Sequence, residues 1–167
     1  LVMSTKMLIF IVVGFISVTI GLAIIFSSGQ KPSLVAISFS AQDADRPKAE
    51  TTQTFFDMGE MKVSDVKQAD FSLKNIGTKP LQIQNINSSC NCTFGQVIYK
   101  DITTKEYGMH AQSGYVTEVA PGDTATVRVI YKPSLMPVYG LVEREVYITT
   151  NDPDRQKLIF SVKAKVK

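Results

Sequence analysis

The chain has 167 residues and a formal net charge of +3, its 18 Lys+Arg scattered among 15 Asp+Glu, with no Trp, one His and two Cys. Scattered basic residues form no stripe for nucleic acid, and a lone histidine argues against most metal-hydrolase and acid–base chemistries. The length suits one ordinary domain beside a membrane-type segment, and leaves little room for a second.

Residues 1–6 form a short N-terminal tail. Met7 to Phe26 (MLIFIVVGFISVTIGLAIIF) is an uncharged run of twenty residues. At about 1.5 Å rise per residue it spans about 30 Å, the hydrocarbon thickness of a bilayer. Residues 7–26 are therefore predicted as a single transmembrane helix. A cleaved signal peptide is the alternative, with Ser27 and Gly29 as small cleavage-site residues. The run exceeds the roughly 7–15 apolar residues of a signal h-region, so a retained anchor is the expectation. No Cys follows the run, which excludes a lipid-modified one. Lys6 and Lys31 nearly balance across it, so flanking charge does not orient the helix; a signal anchor with its C-terminal side out fits best. Gly14, Ser17 and Gly21 fall on one helix face. Ser17-x-x-x-Gly21 is the small-residue spacing that lets a second helix approach closely.

Residues 27–53 are read as a polar lead, a first strand at Leu34–Ser40 and a polar linker. From residue 54 onward short alternating runs recur. Ala69, Phe71 and Leu73 alternate with Asp70, Ser72 and Lys74, and Leu81 and Ile83 with Gln82 and Gln84. Val127, Val129 and Tyr131 form another set, Val146 and Ile148 a further one. Leu158, Phe160, Val162, Ala164 and Val166 make the last inward row. Turn signals at Asn75–Pro80, Ala120–Asp123 and Thr150–Asp154 separate these runs. Period-two patterning of this kind predicts an all-β, antiparallel sandwich over 54–167.

Cys90 and Cys92 admit three readings. Spacing i, i+2 puts both on one face of a strand, with Cα atoms about 6.6 Å apart, near the upper limit for a bridge. A disulfide then requires Asn91 to turn the chain, and if exposed it is easily reduced. As two thiolates the pair suits Cu(I), with Met109 and His110 as conceivable additional ligands; the expectation is no cofactor, with copper as the alternative. Zinc lacks enough conventional ligands. The third reading is two small buried residues in a core turn. Elsewhere, His110 near Ser113 lacks a nucleophile-elbow context. Asn151-Asp152-Pro153-Asp154 reads as a capped hairpin turn rather than a calcium loop. Lys163, Lys165 and Lys167 read as a solvated strand face that discourages edge-to-edge pairing.

The order of motifs adds to this reading. Phe56-Asp57-Met58-Gly59, Phe71-x-Leu73-Lys74-Asn75-x-Gly77, Pro80-Leu81-x-Ile83 and Ser89-Cys90-Asn91-Cys92-Thr93 come first. Pro121-Gly122-Asp123, Gly140 and Thr149-Thr150-Asn151-Asp152-Pro153 follow. The series resembles the bacterial exported family known as domain of unknown function 1573, over about Thr54 to Val166. The resemblance implies an immunoglobulin-like sandwich of the Hydin and major-sperm-protein type, export from the cytoplasm, and no enzymatic activity. Cys90-Asn91-Cys92 stands where that family usually has Cys-Gly-Cys, and Asn is the non-glycine residue best suited to a left-handed turn. Tyr99–Val119 is longer than the family's usual connection, and its Tyr107, Met109, His110 and Tyr115 are a candidate contact surface. Together these features predict a non-catalytic binding module, single-pass in a bacterial inner membrane with its C-terminal domain in the periplasm. Its expected role is that of an accessory or assembly subunit with protein partners. The alternative is a copper or thiol-redox factor using Cys90 and Cys92.

Overall fold

The computed structural model of the chain describes residues 14–16, 19, 36–111 and 114–167. Gly14, Phe15, Ile16 and Thr19 are helical, and the Thr19 hydroxyl donates to the Ile16 carbonyl at 2.9 Å. Ser17, Gly21 and the rest of the predicted transmembrane span lie outside the described residues. Among the described residues no helix is long and apolar enough to cross a membrane.

Residues 36–167 form a separate unit of ten strands in two five-stranded sheets. In chain order the strands are β1 (Ala49–Glu50), β2 (Phe55–Met61), β3 (Lys67–Asn75), β4 (Leu81–Ser88) and β5 (Thr93–Tyr99). They continue with β6 (Ile102–Thr103), β7 (Thr117–Val119), β8 (Thr124–Tyr131), β9 (Gly140–Thr150) and β10 (Lys157–Val166). The sheets have the orders β1-β3-β8-β5-β6 and β2-β10-β9-β4-β7. The alternation read in the sequence sets which face is buried. Ala69, Phe71 and Leu73 of β3 point inward while Asp70, Ser72 and Lys74 are exposed, and all five apolar residues of the β10 row are buried. Between the sheets Phe71 meets Phe160 with ring centroids 5.2 Å apart. Each such fully buried large side chain stabilises the fold by roughly 1.5–3 kcal/mol before chain entropy is counted. At Gly95 of β5 a Cβ would stand 2.6 Å from Val146 Cγ1 and 2.7 Å from Ile86 Cγ2, so the sheets approach there more closely than any side chain permits.

Several details depart from the sequence reading. Residues 36–40 of the expected first strand form no strand, and two residues of the expected linker, Ala49 and Glu50, pair with β3. The Ile37 N–H donates to Gln82 Oε1 at 3.0 Å, an isolated side-chain tie rather than a ladder. The sandwich is not wholly antiparallel, because β2 runs parallel to β10. The chain leaves β1 in one sheet and enters β2 in the other within a few residues, so β2 arrives in the direction β10 already runs. That places β10 inside its sheet, flanked by β2 and β9. The C-terminal lysine row therefore does not guard an edge. Lys165 and Lys167 instead pair with Glu60 of β2, at 3.1 and 2.5 Å.

Candidate functional site

β4 ends at Ser88 in one sheet and β5 begins at Thr93 in the other, so Cys90 and Cys92 lie in the turn that crosses between sheets rather than on a strand. They are joined by a disulfide, with Cα atoms 5.3 Å apart instead of the extended spacing. Asn91 makes the turn without left-handed backbone. Among the described residues the only non-glycine with positive φ is Lys100, at 55°. The bridge is buried, Cys90 being 8 % and Cys92 0 % exposed. The Cys90 carbonyl accepts from the Ser88 hydroxyl at 2.9 Å, and Thr93 Oγ1 lies 3.3 Å from Cys90 Sγ. The Cys92 N–H donates to Cys90 Sγ at 3.2 Å, and its carbonyl accepts from the Lys132 N–H at 2.8 Å. Ser89 and Glu145 exchange bonds in both directions, fixing the turn to β9. In this state the pair is a covalent clip within the turn that crosses between the sheets and offers no thiolate to copper or to an exchange partner.

The long connection after β5 folds back along that strand. The N–H groups and carbonyls of Gly95 and Tyr107 exchange two bonds of 2.9 Å. Thr104 bonds Val97 through both its backbone N–H and its hydroxyl oxygen, each at 3.0 Å. Tyr107 faces inward at 8 % exposure, and burial pushes its hydroxyl pKa up. Met109 and His110 are exposed in the turn that follows, and Tyr115 is half-buried, its pKa raised by burial and by neighbouring Glu118. Ser113 lies outside the described residues. Of the four candidate contact residues, Met109 and His110 are the ones that are exposed.

The turn motifs converge at the opposite end of the sandwich. Asn75 is fully buried, and its Nδ2 donates to the Lys79 carbonyl at 2.8 Å and the Val119 carbonyl at 2.9 Å. Its Oδ1 accepts from Gly77 N–H at 3.0 Å and Lys48 N–H at 3.3 Å. A Cβ on Gly77 would collide with the Arg46 carbonyl oxygen and the Lys48 nitrogen, so the chain before β1 lies directly on that glycine. Asp152, also fully buried, accepts from Ala49 N–H at 2.8 Å and from Asp154 N–H at 3.0 Å. Asn151 Oδ1 accepts from Gln82 N–H at 2.8 Å, and Tyr99 donates to Asp123 Oδ2 at 2.6 Å. In the sequence these residues read only as turns; here they satisfy buried backbone groups of four separate segments. No spacing rule could have separated the two roles, because Asn and Asp serve exposed and buried turns alike.

Charge pairs are peripheral. Arg128 holds Asp70 through two bonds of 2.7 and 2.8 Å and keeps that carboxyl below its ordinary range against the opposing effect of burial. Arg46 does the same to Asp154 at 2.8 Å. Among the described residues no group of three or more His, Cys, Asp or Glu is placed to hold a metal.

The arrangement defines a two-sheet β-sandwich whose recurrent motifs serve to hold it together. Residues 49–110 match the model of the family described as "Protein of unknown function (DUF1573)", the family the motif order resembled. Among solved structures the chain is similar to a protein of unknown function from Porphyromonas gingivalis, at 21 % identity and a TM-score of 0.55. That match covers 80 % of this chain and 50 % of the other, so this chain spans about half its length. Another is the ASH/PapD-like domain 7 of human CEP192, at 12 % identity and a TM-score of 0.46, covering 83 % of this chain and 98 % of that one. No curated protein matches.

Proposed function

We propose that this chain is a membrane-tethered, non-catalytic binding module. It presents an immunoglobulin-like sandwich on the periplasmic side of a bacterial inner membrane, as an accessory or assembly subunit of a larger envelope complex. The carrying observation is a twenty-residue uncharged run joined to a sandwich whose motif residues, Asn75, Asp152 and the cysteine clip among them, are engaged in structural bonds. A domain built this way offers its edges and end loops to partners without special chemistry. Gly14, Ser17 and Gly21 supply a face on which the helix packs against a neighbour.

The chain should resist carbonate extraction from membranes and co-purify in mild detergent with stoichiometric protein partners. A chain released by carbonate, or one recovered as a lone monomer, refutes the reading. Ser17→Leu with Gly21→Leu should release partners while leaving the chain in the membrane; if association survives, the helix is only a tether. A copper or thiol-redox role needs the buried bridge open. Cys90→Ser with Cys92→Ser that leaves assembly intact counts against it.

A further inference from the structure

The two edge strands of the first sheet are very short. β1 pairs with β3 only at Lys74 and Asn75, after which the chain departs for the other sheet; among the described residues no strand pairs with Gln68 to Leu73 of β3 on that side, while the Lys67 side chain reaches across to β2. The bonds around Asn75 show which backbone groups face outward. The Ile76 N–H donates to the Lys48 carbonyl on the β1 side, whereas the Asn75 N–H donates to the Asp123 carbonyl on the β8 side. Backbone direction alternates along a strand. The N–H and C=O groups of Gln68, Asp70 and Ser72 therefore point to the open side, and those of Ala69, Phe71 and Leu73 to β8.

Natural sandwiches blunt such edges with bulges and lysines. The neighbouring edge, β2, is treated in that way. Its register shifts near Gly59, which has φ +68°, and Lys67 Nζ caps the carbonyls of Met58 and Glu60 at 2.5 and 2.8 Å. The β3 edge from Gln68 to Ser72 has no bulge and, among the described residues, no capping side chain. Beside it the seam between the sheets is apolar. Phe56 pairs in register with the buried Val162, so its ring belongs to the inner face, yet it is 43 % exposed, and Phe55 is 46 % exposed.

We propose that this β3 edge is a docking site for an extended segment of a partner protein, added antiparallel as a strand in the direction β1 already takes. The proposal rests on the binding-module reading and names its surface. The segment covers five to seven residues. Its inward side chains, at alternate positions, are apolar and lie against Phe56; the outward one opposite Asp70 is neutral or basic. A second copy of this chain fits less well. Pairing two such edges antiparallel over the free stretch sets Asp70 opposite Asp70, each carboxylate already committed to its own Arg128, and like charges directly opposite destabilise a pair. Sliding the register to avoid this shortens the overlap, because β1 occupies the far end.

The test is single-residue amide exchange on the full chain in mild detergent. The probe is the capped peptide Thr-Val-Lys-Val-Thr-Val-Lys, compared with Thr-Val-Glu-Val-Thr-Val-Glu. In the free chain the amides of Gln68, Asp70 and Ser72 exchange quickly and those of Ala69 and Phe71 slowly. Saturating lysine peptide slows the first three by about tenfold or more and leaves the other two unchanged. The glutamate peptide binds up to about fivefold more weakly, the range of a cross-strand charge pair. Ser72→Pro removes one outward donor without touching a β8 bond and abolishes the protection; Phe56→Asp, which does not alter the β3 backbone, weakens it independently. Protection absent at saturation, spread evenly over even and odd residues, or found at another edge overturns the proposal, as does dimerisation through β3. Native partners that still co-purify with both variants refute this edge while leaving the binding-module reading intact. A chain without partners refutes that reading and the docking proposal with it.

Discussion

Asn75 is the clearest point at which one side chain holds several segments together, and Asn75→Ala tests whether those bonds matter. The substitution removes one donor from the buried Val119 carbonyl, which keeps its place opposite Leu81 in the β4–β7 ladder, and costs about 0.5–1.5 kcal/mol. The Lys79 carbonyl and the Gly77 N–H are only partly buried, and losing their bonds adds roughly 0.5–1 kcal/mol each. The Lys48 contact, at 3.3 Å, contributes little. The expected total is about 2 kcal/mol, a fall in Tm on the order of 5–10 °C for a domain of this size. Urea unfolding followed by tyrosine fluorescence and far-ultraviolet circular dichroism measures it, since the chain has no Trp. The midpoint should fall while the m-value stays constant. Asn75→Asp should not restore stability at neutral pH, because it sets an oxygen against two carbonyls where a donor is needed. A loss below about 1 kcal/mol for the alanine variant, or rescue by aspartate, would show that water replaces these bonds and would refute the reasoning.

Gly95→Ala drives a methyl into Val146 and Ile86 and should cost about 1–3 kcal/mol by overpacking; a neutral result in the same unfolding assay would mean the sheets part freely there. Reducing the Cys90–Cys92 bridge opens a very small loop, so chain entropy predicts a loss of only about 1–2 kcal/mol; the circular dichroism spectrum should persist in reductant, and global unfolding would contradict this. Asp70, Asp154 and Glu60 all have pKa values lowered by their cationic partners. Their contribution to stability is complete above the ordinary carboxylate range and is lost as pH falls through the lowered folded values, below about pH 4. Asp70→Asn should flatten that acid limb in a urea-midpoint titration, and an unchanged limb would remove Asp70 from the account. At neutral pH the exposed Asp70–Arg128 pair should be worth about 1 kcal/mol or less.

The parts of this fold legible in the sequence are those governed by alternation. β3, β8, β9 and β10 each carry an apolar row on one face, and that row is what packs against the other sheet. β5 escaped notice because its inward positions are Thr93, Gly95 and Val97. A threonine and a glycine chosen for a tight sheet approach do not read as a hydrophobic row. The parallel placement of β2 was equally hidden, since strand direction depends on which sheet the chain joins and not on its residues. At the cysteines, the spacing argument assumed a strand. The turn itself brings the Cα atoms to 5.3 Å and makes the bridge feasible. Tyr107 looked like a loop aromatic and is a core residue, because the long connection returns along β5 and carries it inward.

The passage from β1 to β2 has a consequence for how the chain is divided by a protease. Thr52, Gln53 and Thr54 are exposed and outside any strand, and they join a two-residue strand to one that pairs along most of β10. A single cut in that stretch would leave Phe55–Lys167 with nearly all of its ladders. The N-terminal piece would be held by β1, the chain crossing Gly77, the Ala49–Asp152 and Ile37–Gln82 bonds, the Arg46–Asp154 ion pair and the bond from the Thr78 hydroxyl to Asp45. One hydrolysed peptide bond among these three exposed residues, Thr52 to Thr54, would thus separate residues 36–51 from Phe55–Lys167 and cost the sheets and core of the larger piece only the two-residue β1–β3 ladder and the buried Ala49.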